Sequence, residues 1–115
     1  MRIVKKPWGH EEIWAETPHY VGKVLFILAG KRLSLQYHRE KVETVRVMQG
    51  VLRLTCTDSS GKISEREVNT GDSFHIPAGH IHRFAAGENS VVLVEVSTTQ
   101  LDDVVRIEDD YARTT

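Results

Sequence analysis

The chain has 115 residues, enough for one domain built around one core of ordinary size. Its 15 Lys and Arg residues and 16 Asp and Glu residues give a formal net charge of −1. A balance this close to neutral excludes a strong electrostatic attraction to nucleic acid or to an anionic membrane. The composition therefore favours a small-molecule partner and a single domain over residues 1–115.

The cysteine content and the apolar segments predict a cytoplasmic location. Cys56 is the only cysteine, so no internal disulfide can form and a reducing compartment is expected. The N-terminal sequence MRIVKKPWGH lacks the apolar run of a secretory signal. The longest apolar stretch, Val24–Ala29, is far shorter than the roughly 20 residues that span a bilayer.

Short segments rich in Val, Ile, Leu and Thr follow one another along the chain, separated by Gly, Pro, Asn or Asp. Short strand-forming segments separated by turn-forming residues are typical of an all-β protein. In chain order, we predict nine strands: Glu12–Ala15, Tyr20–Leu28, Leu33–His38, Glu43–Met48, Val51–Thr57, Lys62–Val68, Ser73–Ile76, Ile81–Phe84 and Val91–Ser97. Two segments between them, TDSSGK at 57–62 and AAGENS at 85–90, have the composition of surface turns.

The C-terminal segment QLDDVVRIEDDYAR, residues 100–113, has two open interpretations. Asp102 and Asp103 suit the N-terminus of a helix, whose dipole favours negative charge. Alternatively, the segment lies on the sheets as an extension. Nine short strands hide their edges most simply when two antiparallel sheets close on each other. We therefore predict a jelly-roll barrel, or a similar barrel, with a short C-terminal tail or helix.

The segment GKRLSLQYHREKVETVRVMQG, residues 30–50, places polar residues on one side of a predicted strand. Successive strand residues face opposite sides. One face therefore holds the polar residues Arg32, Ser34, Gln36 and His38. The other face holds Leu33, Leu35 and Tyr37. If the polar face points into the barrel, Gln36 and His38 lie near Glu43, which opens the next strand.

These side chains need one further donor to form a cation site. The segment GDSFHIPAGHIHRF, residues 71–84, offers three candidates, namely His75, His80 and His82. Imidazole nitrogen combined with amide and carboxylate oxygen suits a divalent Zn, Mn, Ni, Co or Fe ion, and a set without thiolate is unlike a closed structural zinc site. The competing interpretation of each residue alone is an exposed or internally hydrogen-bonded strand side chain.

The same residues match the two sequence motifs of the cupin family. The first motif, G-x5-H-x-H-x3/4-E-x6-G, corresponds to Gly30, Gln36, His38, Glu43 and Gly50. The second motif, G-x5-P-x-G-x2-H-x3-N, corresponds to Gly71, Pro77, Gly79 and His82. Gln36 replaces the first histidine and keeps an oxygen donor, and Ala86 replaces the final asparagine. The chain therefore resembles a cupin, which implies a jelly-roll barrel.

Three segments, RLSLQYH, KPWGHEE and VVRIEDDYAR, resemble the cupin domain of type II phosphomannose isomerases. That domain occurs alone or at the C-terminus of mannose-1-phosphate guanylyltransferases, and the resemblance covers residues 6–113. It implies one divalent metal ion per chain, with Zn as the first candidate. The ligands that it implies are Gln36, His38, Glu43 and His82. Beside them, Arg39, Glu40 and Val45 depart from the subfamily pattern.

The resemblance implies interconversion of an aldose phosphate and a ketose phosphate. This reaction removes a proton next to a carbonyl, and a divalent metal stabilises the charge that develops. Our candidate for the base is His80, which is close in sequence to His82. The candidate substrate contacts are Arg32, Ser34, Lys41 and Arg83. For each of the three cations the alternative is a salt bridge, which for Arg32 would be with the acidic tail.

Two other functions stay open. One is a non-catalytic or regulatory sugar-binding cupin, because a fold does not determine a function. The other is an Fe(II)-dependent oxygenase, which the same fold also hosts.

The predicted outward row of Leu33, Leu35 and Tyr37 should be covered by other protein. We predict a homodimer in which the partner chain covers this row, since closed twofold dimers are the commonest soluble assemblies. The alternative is that the N-terminal segment with Trp8 and Trp14 covers it within one chain. We expect both tryptophans to pack rather than to bind sugar, and we expect Cys56 to be a small buried side chain rather than a nucleophile.

Overall fold

A computed structural model describes residues 1–113 and contains eleven β-strands. In chain order they are β1 (Arg2–Lys6), β2 (Gly9–Glu16), β3 (Val21–Ile27), β4 (Leu35–Tyr37), β5 (Glu43–Gln49), β6 (Leu52–Thr57), β7 (Ile63–Val68), β8 (Ser73–Ile76), β9 (His82–Ala86), β10 (Val91–Ser97) and β11 (Val105–Glu108). Neither an α-helix nor any membrane-crossing helix occurs within residues 1–113. The expected all-β class is confirmed.

The strands form two antiparallel sheets. The six-stranded sheet has the order β1-β2-β3-β10-β5-β8, and the five-stranded sheet has the order β11-β4-β9-β6-β7. Strands that are distant in sequence become neighbours, as β3 and β10 do in the first sheet and β4 and β9 in the second. This crossing of connections between two sheets is the jelly-roll arrangement, as predicted.

All nine predicted strands overlap observed ones, and Ser73–Ile76 and Val91–Ser97 have the predicted bounds. The sequence pattern missed β1 and β11, which both lie at the edge of a sheet. An edge strand pairs on one side only and buries little of either face. The residues of β1 are accordingly exposed or half-buried throughout, so no alternation of apolar and polar residues marks this strand.

The helical interpretation of residues 100–113 is wrong. Strand β11 lies in this segment and pairs with β4, with Val105 opposite Tyr37 and Arg106 opposite Gln36. The edge of β4 offers backbone N–H and C=O groups that need partners. A strand can satisfy them, whereas a helix satisfies only its own backbone. The alternative, an extension lying on the sheets, is therefore the correct one.

The predicted alternation along residues 32–38 fails at its start. Leu33 lies between an isolated bridge at Arg32 and the first residue of β4, Leu35. In this irregular stretch Leu33 turns into the core, and Arg32 is exposed and binds Asp110. A shift of one residue exchanges the faces of a strand with a period of two. The prediction of an outward Leu33, buried by a partner chain, is wrong.

The barrel interior has an apolar end and a polar end. The inward side chains of β3 are Val21, Lys23, Leu25 and Ile27. Those of β10 are Val91, Leu93, Glu95 and Ser97. Lys23 and Glu95 lie directly opposite each other in the sheet. Buried charges need partners, and this pair is part of a larger group of paired charges at the polar end.

The two tryptophans have different environments. Trp8 is 2 % exposed and belongs to the core, which confirms its predicted packing role. Trp14 is 50 % exposed and lies over Gly22 on the outer face of the six-stranded sheet. A Cβ atom on Gly22 would come within 2.7 Å of the Trp14 ring, so the glycine makes room for this contact. Cys56 packs against the core but is half-buried rather than fully buried as predicted.

Candidate metal centre

A cavity of about 100 Å3 lies between the two sheets at the polar end of the barrel. Strands β4, β5, β9 and β10 contribute to its wall, together with the N-terminal and C-terminal segments. Its polar lining consists of a His–Glu–His cluster, an adjacent buried ion pair and a group of cations.

His38, Glu43 and His82 form the cluster. All three side chains are buried, and each places one ligand atom within 4.8 Å of the others. The Nε2 atom of His38 lies 3.5 Å from Oε2 of Glu43, and the Nε2 atom of His82 lies 3.6 Å from Oε1. Atoms that bind one ion at roughly 2.1 Å lie about 3 to 3.5 Å apart. The three side chains can therefore hold a divalent metal ion with little rearrangement.

Hydrogen bonds orient both imidazole rings toward Glu43. Nδ1 of His38 contacts the backbone carbonyl of Asp103, and Nδ1 of His82 lies 2.9 Å from the carbonyl of His80. A carbonyl oxygen can only accept a hydrogen bond, so Nδ1 carries the proton in each ring. The Nε2 lone pairs then point at the cluster, which is the arrangement that histidine ligands of metals adopt.

Gln36 lines the same cavity and lies opposite His82 in the pairing of β4 with β9. This register brings together a residue of the first motif and a residue of the second. An amide oxygen beside two imidazoles and a carboxylate suits a borderline or hard divalent ion. The fold thus places all four predicted ligands around one cavity.

The electrostatics keep Glu43 and His82 in metal-binding protonation states. Burial by itself raises the pKa of Glu43, but the His38 contact and the charge of Lys41 outweigh it and hold the pKa at about 2. Burial lowers the pKa of His82. The carboxylate is therefore ionised at neutral pH, and the deeply buried imidazole resists protonation.

A buried ion pair lies next to the cluster. The Nζ atom of Lys41 is 3.2 Å from both Glu43 and Glu95. Burial lowers the pKa of Lys41, but the two carboxylates outweigh this effect and raise it. Burial and the charge of Glu43 raise the pKa of Glu95. The ammonium group therefore stays charged beside the ionised Glu43, and the environment of Glu95 favours its protonated form more than that of an exposed carboxyl group does.

Four cations from separate parts of the chain also line the cavity: Lys6, Lys23, Arg106 and Arg113. Glu11 binds Lys23 at 3.2 Å and Asp109 binds Arg113 at 2.9 Å. Burial lowers the pKa of Lys6, and the other three cations lower it further against the opposing effect of Glu11. Cations that repel one another inside one cavity favour an anionic ligand.

The structure separates the predicted substrate residues into two groups. Ser34 and Lys41 line the cavity, and the Ser34 hydroxyl is buried without a hydrogen-bond partner. Arg32 and Arg83 instead line a groove on the outer face of the five-stranded sheet. Arg83 donates from Nε to the carbonyl of Leu33 at 3.0 Å. The predicted inward position of Arg32 is therefore wrong, and Arg83, although it is next to His82 in the sequence, does not line the cavity.

His80 does not line the cavity either. Its backbone carbonyl accepts the hydrogen bond from His82, and this contact is the part of His80 that reaches the cluster. Its side chain is half-buried in the loop before β9. The prediction rested on the closeness of His80 to His82 in sequence. This closeness brings the backbone of His80 to the site, but its side chain does not line the cavity.

Sequence reasoning missed Glu95, Lys23 and the cations of the two terminal segments. A signal for the first two was present, because each is a charged residue on the inward side of an otherwise apolar strand, VVLVEVS and VGKVLFI. Such a residue interrupts the apolar alternation at a buried position. No comparable pattern marks Arg106 or Arg113, since the C-terminal segment has no regular burial.

The fold is shared with solved structures of low sequence identity. KdgF from Halomonas sp. superimposes with a TM-score of 0.76 at 18 % identity, over 89 % of this chain and 91 % of that one. A structure of oxalate decarboxylase superimposes with a TM-score of 0.78 at 18 % identity, over 93 % of this chain and 30 % of the other. At this identity the likeness establishes the fold. Together with the two motifs around the His–Glu–His cluster, it makes this protein a cupin.

The sequence comparisons then define the family. Residues 1–109 match the family model described as Mannose-6-phosphate isomerase C-terminal, and the chain belongs to this family. It is 31 % identical over 115 residues to Alginate biosynthesis protein AlgA of Pseudomonas aeruginosa, covering 96 % of this chain and 23 % of that protein. It is 33 % identical over 116 residues to Mannose-1-phosphate guanylyltransferase ManC of Salmonella typhimurium, covering 97 % and 23 %. The chain thus spans about a quarter of the length of these relatives.

Proposed function

We propose that this domain is a metal-dependent aldose–ketose isomerase of the mannose-6-phosphate type. The observation that carries the proposal is the meeting of two features in one cavity, a His–Glu–His cluster and a group of four cations. The first suits a divalent metal and the second suits a phosphate group. The family supports the same reaction class.

The residues of the cluster would hold the metal, which we take to be one divalent transition ion per chain with Zn as the first candidate. His38, Glu43 and His82 supply the inner ligands, and Gln36 supplies an amide oxygen from the neighbouring wall. A metal bound there would polarise the oxygens of the substrate at the carbons that exchange a proton.

Proton transfer falls to the ion pair beside the cluster. Lys41 and Glu95 are 3.2 Å apart, both line the cavity, and neither belongs to the predicted ligand set. Glu95 would accept and return the proton, and the charged Lys41 would stabilise its carboxylate form, within a wall shielded from water. The Ser34 hydroxyl, buried without a partner, is placed to bind a hydroxyl group of the ligand.

The phosphate group would lie against Arg106 and Arg113. Guanidinium groups bind phosphate oxygens through paired, charge-assisted hydrogen bonds. The cavity volume of about 100 Å3 is below the roughly 300 Å3 at the small end of ligand pockets. Binding of a sugar phosphate therefore requires the wall to move, and the C-terminal segment that carries both arginines forms one side of that wall.

Isotope exchange tests the proposal directly. The purified protein, loaded in turn with Zn, Mn, Ni, Co and Fe(II), is incubated in D2O with mannose 6-phosphate and a panel of other aldose phosphates. NMR then follows loss of the C2 proton and appearance of the ketose. We expect exchange with at least one metal and one phosphorylated sugar, and no exchange with unphosphorylated mannose.

Glu43→Ala and metal-stripped protein serve as matched controls and should be inactive. Saturable binding of a sugar phosphate without exchange would contradict the isomerase and support a non-catalytic, regulatory sugar-binding cupin. Oxygen consumption by the Fe(II)-loaded protein would support an oxygenase instead.

We also propose that the chain is a homodimer in the cytoplasm. Leu35 faces the groove on the outer side of the five-stranded sheet and is half-buried within one chain. A second copy could cover it, and Leu35→Lys should then yield monomer. Multi-angle light scattering at micromolar concentration measures the mass, and a wild-type mass near the 13.1 kDa of one chain would contradict the dimer.

A further inference from the structure

Asp103 makes four hydrogen-bond contacts with one short loop. Its backbone carbonyl faces Nδ1 of His38. Its carboxylate accepts the backbone N–H groups of Arg39 at 3.0 Å, Glu40 at 2.7 Å and Lys41 at 3.0 Å. The contacts cover four consecutive residues, 38–41, between two predicted metal ligands, and they come from a residue 62 to 65 positions away.

The two imidazoles of the cluster therefore depend on different kinds of support. His82 is oriented by the carbonyl of His80, two residues earlier in the loop that leads into β9. His38 is oriented by a residue of the C-terminal segment, which is 65 positions away and is held to the barrel by the pairing of β11 with β4. A local contact persists whenever β9 forms, whereas the contact to His38 persists only while residues 99–105 remain in place.

We infer that Asp103 is a positioning residue for the metal centre, which holds His38 and the loop 38–41 in the metal-binding arrangement from outside the cavity. The carboxylate caps three backbone N–H groups and so holds the loop against the C-terminal segment. The carbonyl sets the tautomer of His38, leaving Nε2 free for the metal. This inference rests on the metal site of the proposed function.

Metal affinity and the tautomer of His38 test the inference separately. Zn affinity is measured by competition with a chromophoric chelator for wild type, Asp103→Asn and Asp103→Ala. Asp103→Ala keeps the backbone carbonyl but removes the three side-chain contacts that hold it against His38. Complete loss of an outer partner of a metal ligand lowers affinity by roughly 10- to 100-fold, so we expect a loss up to this range for Asp103→Ala and a smaller one for Asp103→Asn. The exposed neighbour Asp102 supplies the control variant Asp102→Asn, which should bind Zn like wild type.

The second measurement uses 15N-labelled histidine in the metal-free protein. In wild type we expect both His38 and His82 as the Nδ1–H tautomer. In Asp103→Ala the His38 signals should move toward a mixture of tautomers while those of His82 stay unchanged. A general loss of folding would affect both rings, so this asymmetry separates positioning from stability.

Unchanged Zn affinity together with unchanged His38 signals in folded Asp103→Ala would overturn the inference. If Asp103→Ala does not fold, Asp103→Asn provides the same comparison with the side-chain volume retained. Wild-type protein that binds no divalent metal would contradict the proposed function instead. The tautomer measurement on metal-free protein would still decide whether Asp103 positions His38.

Discussion

The central strands and the chain ends build different parts of the same cavity. The predicted metal ligands lie in or beside β4, β5 and β9, which pair with neighbours inside the sheets. The cations Lys6, Arg106 and Arg113 and the contact of Asp103 come from the N-terminal edge strand and the C-terminal segment. Edge and terminal elements open at lower free energy than central strands. The candidate metal ligands therefore lie on or beside stable central strands, with one contact from the C-terminal segment, whereas most of the cavity cations lie on elements that open more readily.

The largest expected effect lies in the central strands. Glu43→Gln removes the negative charge that both imidazoles and Lys41 face. Because loss of an outer partner alone costs roughly 10- to 100-fold in metal affinity, loss of the carboxylate ligand should cost at least about 100-fold. Elemental analysis after metal loading and dialysis should show close to one ion in wild type and almost none in the variant.

The matched control for this substitution is Glu65→Gln, on the exposed strand β7. It should retain the wild-type metal content. Equal metal content in Glu43→Gln and wild type would show that the cluster is not the metal centre. The proposed difference between the central strands, as metal ligands, and the chain ends, as the source of cations, would then be lost.

An intermediate effect is expected in the C-terminal segment. Arg113→Gln removes a cavity cation and leaves the His–Glu–His cluster untouched. A hydrogen bond to a charged group contributes about 1.5–3 kcal/mol, so affinity for mannose 6-phosphate should fall by roughly 10- to 100-fold with unchanged metal content. Isothermal titration calorimetry measures this change, with the exposed Arg66→Gln as control.

The outcome for Arg113→Gln also tests whether metal binding and phosphate binding belong to different regions of the chain. A variant that loses metal and sugar phosphate together would mean that the chain ends and the central strands act as one unit. Unchanged sugar-phosphate affinity would place the phosphate elsewhere in the molecule.

The smallest expected effect concerns the pH dependence of stability. The hydrogen bond from the Arg113 side chain lowers the pKa of Asp109 to about 2. A carboxyl group whose pKa is lowered in the folded state stabilises that state at pH above its unfolded value of about 4, and the contribution is lost as pH falls toward 2. Asp109→Asn should lower the free energy of unfolding at pH 7 by about 1 kcal/mol or less, since the pair is partly solvated.

Urea denaturation of wild type and Asp109→Asn at several pH values checks this expectation. The two free energies of unfolding should differ at pH 7 and converge between pH 4 and pH 2. A difference that is independent of pH would mean that the substitution acts through packing rather than through the ion pair.

Much of the metal centre could be predicted because its residues carry local signals. Gln36, His38 and Glu43 fall within one strand–turn–strand segment, and a period of two assigns inward positions to Gln36 and His38 from Leu35 onward. The residues alone left His75, His80 and His82 open as the fourth ligand, and the resemblance to the second cupin motif selected His82. Strand alternation and turn residues depend on the nearest few neighbours, so the sequence by itself determined nine of the eleven strands found in residues 1–113, and its resemblance to the cupin motifs supplied the candidate ligand set.

The position of Arg32 and the structure of the C-terminal segment depended on contacts between residues that are distant in sequence, which no local pattern reveals. One irregular residue exchanged the faces of Arg32 and Leu33, and the acidic residue Asp110 then bound Arg32 outside the barrel. The C-terminal segment became a strand because the edge of β4 offered it backbone partners. Only the tertiary structure decided these features, because each depends on which distant groups are left to be satisfied after the central strands have paired.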